Sequence, residues 1–324
     1  MHGTIDYYLT AFAKLRVDKN KKTWSRLTNY GSPYKPFLLL SIFDHINTGL
    51  ITGNFIEPSF ELTQTFLDYT ALLPDFGRQA GMAYPFYHLE SSGFWILITQ
   101  PGEQHRQGLA MKSMKRLREV YLGARFSDDL YPILQMTHTR EKLKSVLIQT
   151  YFAKELQPAI LEQSQINCAS DRYSYRLLGT AEGIPQYMTP NGKWENEDKV
   201  RYQGFRKAIV KLYDHRCALC GIKMCTPEGR TVVDAAHIKP WSQSYNDDPT
   251  NGMALCKLCH WSFDEGLMSV DKQYHVLISP VVRDYNNLPG HIMTLSDRPM
   301  FRPSESSQWP GQENFEWHRK VRFR

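Results

Sequence analysis

Cys217-Ala-Leu-Cys220 and Cys256-Lys-Leu-Cys259-His260 bracket a segment of this 324-residue chain that also holds Asp234-Ala-Ala-His237-Ile238 and Asn251, with Asp264 just beyond. Thiolates two residues apart can converge on one ion, and two such pairs make a closed tetrahedral zinc site. Cys217, Cys220, Cys256 and Cys259 are therefore expected to hold structural zinc. Burial as small apolar residues, the ordinary fate of a lone cysteine, accounts poorly for two spaced pairs. Cys225 is near enough to compete as a ligand but has no pair, and Cys168 reads as a free thiol.

Zinc on four thiolates leaves the enclosed polar residues for other work. Phosphodiester hydrolysis needs a base to activate water, a divalent ion to neutralise developing charge, and a group that holds the base in place. His237 ends the strand-like run Thr231-Val-Val-Asp-Ala-Ala236 and precedes Ile-Lys-Pro-Trp, where the chain must turn. An imidazole there can accept a proton near neutral pH. His260 and Asp264 are four apart in a helix-like stretch, so both project from one face. Together they form a half-shell for Mg²⁺ or Mn²⁺, to which Asp234 could add an oxygen.

Outward from this segment, Phe205, Ile209 and Leu212 share one face of a helix over 202–213. Before it, from about Gln157 to Glu197, scattered glycine, proline, serine and asparagine suggest a linker. The expected division is a first domain over 1–156, a linker over 157–200 and a second domain over 201–324. In the first domain, helices are expected over 5–15, 36–47, 61–73, 111–120, 130–134 and 141–152, the second almost wholly apolar. Tyr84-Pro-Phe-Tyr-His-Leu89 and Phe94-Trp-Ile-Leu-Ile98 read as two short strands joined by a turn. The tail from Arg298 carries Trp309, Phe315, Trp317, His318, Arg319, Lys320, Arg322 and Arg324. Such a mixture either lines a phosphate backbone or packs on the second domain through its tryptophans.

The formal net charge of +6 fits a polyanionic partner without establishing one. No basic region followed by an apolar run opens the chain, and no stretch approaches membrane-spanning length, so the expectation is a cytoplasmic protein with no membrane partner. Six cysteines, four of them in the paired motif, fit a reducing compartment.

Asp234-Ala-Ala-His-Ile-Lys-Pro-Trp-Ser242, Asp247-Asp-Pro-Thr-Asn-Gly-Met-Ala-Leu-Cys256 and Cys259-His-Trp-Ser-Phe-Asp-Glu-Gly-Leu267, in that order, closely resemble the HNH endonuclease module, a ββα-metal fold. The resemblance implies an α+β chain whose C-terminal domain is the HNH module and whose N-terminal domain is mainly helical with a small sheet. It also implies that His237 is the general base, Asn251 positions the hairpin and that base, and His260 binds the catalytic metal. Many family members carry a metal-binding His or Asp immediately before the base, where this chain has Ala236. Asp234 is then the nearest carboxylate, and Asp264 takes the place of a late ligand.

Ser32-Pro-Tyr-Lys-Pro-Phe-Leu-Leu-Leu40, with Tyr84-Pro-Phe-Tyr-His-Leu89 and Gly93-Phe-Trp95 downstream, resembles the sulfur-binding domain of restriction enzymes that cut phosphorothioate-modified DNA. A nonbridging sulfur is larger and less well hydrated than oxygen, so it suits an apolar lip beside cationic phosphate contacts. Tyr34, Lys35, Pro36, Arg78, Tyr84, Pro85 and His88 are the candidate DNA contacts. The function implied is a type IV-like restriction endonuclease acting on modified double-stranded DNA, with zinc and Mg²⁺ or Mn²⁺ as cofactors. Cutting both strands from one small site implies a homodimer or sequential nicking. The alternatives are an HNH endonuclease reading 5-methyl- or 5-hydroxymethylcytosine, and a nonenzymatic zinc-stapled DNA-binding protein.

Overall fold

A computed structural model describes residues 3–73, 81–105, 108, 111, 113–179, 197–283 and 287–324. The chain divides into two compact units, one of residues 1–168 with 227–229, the other of 169–226 with 230–324. Both combine helices with two-stranded sheets, giving an α+β chain.

The first unit contains α1 (Ile5–Ala13), α2 (Tyr34–Thr48), α3 (Phe60–Thr70), α4 (Ala83–His88), β1 (Trp95–Thr99), α5 (Met114–Val120), β2 (Tyr121–Phe126), α6 (Leu130–Gln135) and α7 (Thr137–Tyr151). Its core surrounds α2, in which every residue from Lys35 to Ile46 is buried. A helix apolar on nearly all sides has no other stable place. Gly49 ends it in the left-handed conformation that a glycine adopts without steric cost. Phe37 stacks between Tyr69 and Phe152, tying α2 to α3 and to the end of α7.

Two elements differ from the expectation. Only the second of the two expected strands forms: β1 pairs antiparallel with β2, and residues 84–88 lie in the helix α4. Pro85 falls in the first turn of α4, where a missing amide costs nothing, and burying Phe86, Tyr87 and Leu89 secures the helical form. The other difference is α8 (Gln157–Leu177), which runs through a stretch expected to be irregular. Its buried positions are largely polar. Within the first unit, Ser164 Oγ donates to Asp44 Oδ1 at 2.5 Å and Asn167 Nδ2 to Asp44 Oδ2 at 3.0 Å, beside Tyr69 Oη at 2.7 Å. A helix that meets its surroundings partly through hydrogen bonds to one buried carboxylate leaves little apolar periodicity to read.

The second unit contains α9 (Glu197–Leu212), β3 (Val233–His237), α10 (Trp241–Ser244), β4 (Gly252–Cys256), α11 (Lys257–Asp264), β5 (Met268–Val270), β6 (Val276–Ile278) and α12 (Gln312–Val321). β3 and β4 form an antiparallel hairpin in which His237 faces Gly252 and Val233 faces Cys256. At the loop end of the hairpin α9 approaches closely. A Cβ on Gly252 would lie 2.5 Å from Ile209 Cδ1 and 2.9 Å from Phe205 Cζ, so a larger residue there would displace those side chains.

The basic-aromatic tail forms α12, which packs on β5 and α11. His318 is buried, its ring stacked 3.7 Å from Phe263. Its Nε2 donates to Phe263 O at 2.9 Å, and its Nδ1 lies 3.0 Å from Ser269 Oγ. Burial pushes it from an ordinary 6.5 down to about 4. A histidine depressed in the folded state contributes stability above its unfolded value and loses that contribution as pH falls from about 6.5 through about 4. Denaturant melts of the parent should lose about 3 kcal/mol more than those of His318→Gln between pH 7 and pH 4. Equal losses would show that the ring is not buried neutral.

Candidate metal and nuclease site

The first cysteine pair follows α9 directly, and the second spans the junction of β4 and α11. Ala218 N donates to Ala254 O at 2.7 Å, anchoring the first loop to β4. The four sulfurs all lie within 4.8 Å of one another, and among the described residues they are the one cluster of three or more His, Cys, Asp or Glu groups this close. A tetrahedron with zinc–sulfur bonds of about 2.3 Å has edges of about 3.8 Å. Cys220 Sγ and Cys256 Sγ stand 3.8 Å apart. Donor chemistry and spacing both fit zinc. Hydrogen bonding among the four sulfurs draws Cys217 and Cys256 towards the thiolate that a metal requires. Cys225 is exposed and outside the cluster, and Cys168 is buried in the first unit.

His237 stands at the end of β3 with its ring stacked on Phe205, 4.0 Å between centroids and nearly parallel. Its Nε2 lies 2.7 Å from Asp247 Oδ1. Asp247 comes from the loop between α10 and β4 and is one functional group that motif spacing did not single out. Tyr173 Oη donates to its Oδ2 at 2.7 Å, and Arg201 Nη1 lies 3.1 Å from Oδ1. A Cβ on Gly204 would come within 2.8 Å of Tyr173 Cδ1, and the glycine lets this part of α8 lie against α9.

Asn251 is fully buried and closes the loop that leaves His237. Its Oδ1 accepts from Lys239 N at 2.9 Å, while its Nδ2 donates to Lys239 O and Asn246 O, both at 3.0 Å. Three bonds from one amide fix the chain on both sides of α10. This arrangement supports a positioning role for Asn251.

On α11, His260 Nε2 lies 3.5 Å from Asp264 Oδ2, and both side chains reach solvent. One imidazole and one carboxylate on an open face suit a divalent ion that keeps other positions for water or phosphate oxygens. Asp234 stands apart from this pair. Its Oδ1 is bonded to Arg206 Nε at 2.9 Å, and Tyr202 Oη approaches its Oδ2 at 3.4 Å. Three positions from His237, it leaves the strand on the opposite side. Ala236 is 1% exposed, within the core.

In the first unit a cavity of about 450 Å³ is lined by Tyr34, Lys35, Tyr84, Pro85 and His88 together with Arg16, Val17, Asp18, Ser32 and Ser91. Five of the seven expected DNA contacts thus meet in one place. Pro36 does not line it: one residue further along α2, it is turned into the core. Arg78 lies outside the described residues. Tyr84 is 60% exposed, with its ring 4.1 Å from that of His88. Lys35 Nζ donates inward to Arg16 O and Ser91 Oγ, both at 2.9 Å. Burial, reinforced by the Arg16 charge, draws Lys35 down to about 8.

Residues 217–271 match the family model described as HNH endonuclease, and residues 57–167 match that described as ScoMcrA-like, DNA sulfur-binding domain. The chain carries both domains. Comparison with curated proteins gave no match. Among solved structures, a modification dependent TagI restriction endonuclease is similar, at 19% identity over 42% of this chain and 44% of that one, with a TM-score of 0.29. The chain thus spans less than half the length of that protein. The HNH match begins at Cys217 and encloses the four thiols, His237, Asn251, His260 and Asp264. The sulfur-binding match covers Tyr84, Pro85 and His88 but starts after Tyr34 and Lys35. Among the described residues, no helix is long and apolar enough to cross a membrane.

Proposed function

We propose that the protein is a modification-dependent, type IV-like restriction endonuclease that binds phosphorothioate-modified double-stranded DNA and hydrolyses its backbone at the HNH domain. The observation that carries this reading is the convergence of Tyr34, Lys35, Tyr84, Pro85 and His88 on one cavity, with the last three inside the segment matching a DNA sulfur-binding domain. Tyrosine and proline carbon offers a poorly hydrated sulfur a better surface than it offers a phosphate oxygen.

Cleavage begins with His237 accepting a proton from the attacking water. Asn251 holds the loop that fixes the ring's approach, and Phe205 holds its plane. His260 and Asp264 would hold Mg²⁺ or Mn²⁺. When bound, such an ion neutralises charge on the phosphate and the leaving oxygen. The products are 5′-phosphate and 3′-hydroxyl ends. Cys217, Cys220, Cys256 and Cys259 would hold zinc apart from the chemistry, in a closed site that would serve folding.

The test is incubation with three matched plasmids, unmodified, phosphorothioated and base-methylated, in Mn²⁺. Preferential cutting of the phosphorothioated plasmid is expected. Equal cutting of all three would remove the modified-DNA reading and leave the nuclease, while preference for the methylated plasmid would make the first domain a base reader. Tyr84→Ala should weaken phosphorothioate-duplex binding about tenfold, from the loss of an apolar contact of about 1–2 kcal/mol. Titration by fluorescence anisotropy checks this, and equal weakening for unmodified DNA would deny the ring a role in sulfur recognition.

A further inference from the structure

The carboxylate beside the base has no part in either metal site. Asp247 is 5% exposed, and a buried carboxylate is costly unless its oxygens are paired. Those oxygens are paired from three directions: by His237 Nε2 at 2.7 Å, by Tyr173 Oη at 2.7 Å, and by Arg201 Nη1 at 3.1 and 3.3 Å. Burial opposes its ionisation, but hydrogen bonds from His237 and Tyr173 and the Arg201 charge outweigh burial and hold Asp247 below the usual carboxylate range. Burial and Asp247 together push Tyr173 upward, so its hydroxyl stays a donor. Arg201 is itself held with its guanidinium 4.0 Å over the Trp241 ring.

We propose that Asp247 is the positioning residue for the base: it keeps the His237 proton on Nε2, leaves Nδ1 to take the proton from water, and stabilises the imidazolium that results. This rests on reading His237 as the base. An ionised carboxylate 2.7 Å from Nε2 can only accept, so that nitrogen must donate and the other ring nitrogen carries the lone pair. In the reaction a water O–H bond breaks, its proton passes to Nδ1, and the oxygen forms the new bond to phosphorus. The P–O3′ bond breaks, its electron pair stays on the leaving oxygen, and solvent protonates that oxygen. Two positive neighbours then share Asp247, the new imidazolium and Arg201. The Phe205 stack preserves the ring plane in which Nε2 meets Asp247.

The experiment compares the full-length parent with Asp247→Asn, Asp247→Glu and His237→Ala on a phosphorothioated plasmid in Mn²⁺. For Asp247→Asn, kcat should fall at least about a hundredfold with KM within about twofold. The acid limb of its kcat profile should move about one pH unit lower, because the imidazolium loses its counter-charge. Asp247→Glu should restore part of kcat. Parental kcat and an unmoved limb in Asp247→Asn, with His237→Ala inactive, would overturn the role of Asp247 alone. An active His237→Ala would instead remove the reading beneath it. Should Asp247→Asn melt early, Tyr173→Phe carries the same test through the loss of one donor. Its kcat should drop about threefold with a smaller shift of the limb, and parental values for both would overturn the proposal.

Discussion

Cys217→Ser should abolish the cooperative melting transition of the second unit, and the nuclease activity with it. The four sulfurs join the loop after α9 to the junction of β4 and α11, and Cys217 is fully buried among them. Structural zinc contributes about 10–16 kcal/mol apparent in small zinc modules, against a total stability of about 5–15 kcal/mol for a typical domain. Losing one thiolate removes most of that contribution and leaves three mutually repelling ligands in the core. Metal analysis with calorimetry checks this. The parent should carry one zinc per chain, and chelation should reproduce the effect of the substitution. A soluble variant that has lost zinc yet melts like the parent would show that the cluster does not hold the unit together.

His237→Ala should lower kcat by about 10²–10⁴, the range a positioned acid or base supplies. Its zinc content and its binding to phosphorothioate duplex should be unchanged, because the ring contributes no bond to the cluster and lies outside the first unit. The expected cost to folding is the Phe205 stack and one hydrogen bond to Asp247, about 1–3 kcal/mol. Single-turnover cleavage in Mn²⁺ separates the chemical step from binding. Parental rates in that assay would eliminate His237 as the base.

Much of the site could be read from the sequence because it is local. The two cysteine pairs, the strand ending in His237 and the helix carrying His260 and Asp264 lie within one short segment, where covalent spacing already restricts geometry. Asn251 was readable for the same reason. Asp247 was not: it returns to His237 through a loop, and its two other partners, Tyr173 and Arg201, come from α8 and α9. Of these helices α8 was itself hidden, because Asp44 is met there by serine and asparagine rather than by an apolar stripe. Residues 84–88 misled through their strand-forming aromatics, whose helical conformation is set by tertiary burial. Asp234 is paired with Arg206, a partner from α9 that the strand's own spacing does not reveal. Lys35 and Pro36, adjacent in sequence, parted company once α2 formed, one facing the cavity and the other the core.

The inward-turned ammonium of Lys35 bears on how binding responds to ionic strength. Each phosphate contact made by a free cation loses affinity as salt rises, with a log–log slope of about 0.9 per contact. Lys35 commits two of its three ammonium donors to Arg16 O and Ser91 Oγ, so tyrosine and proline carbon make up much of what faces the ligand. Contacts of that kind displace no counterions. Rising sodium chloride would therefore weaken both DNAs in parallel, and sulfur-bearing DNA, with a salt-insensitive contact added, would be the last to leave the protein.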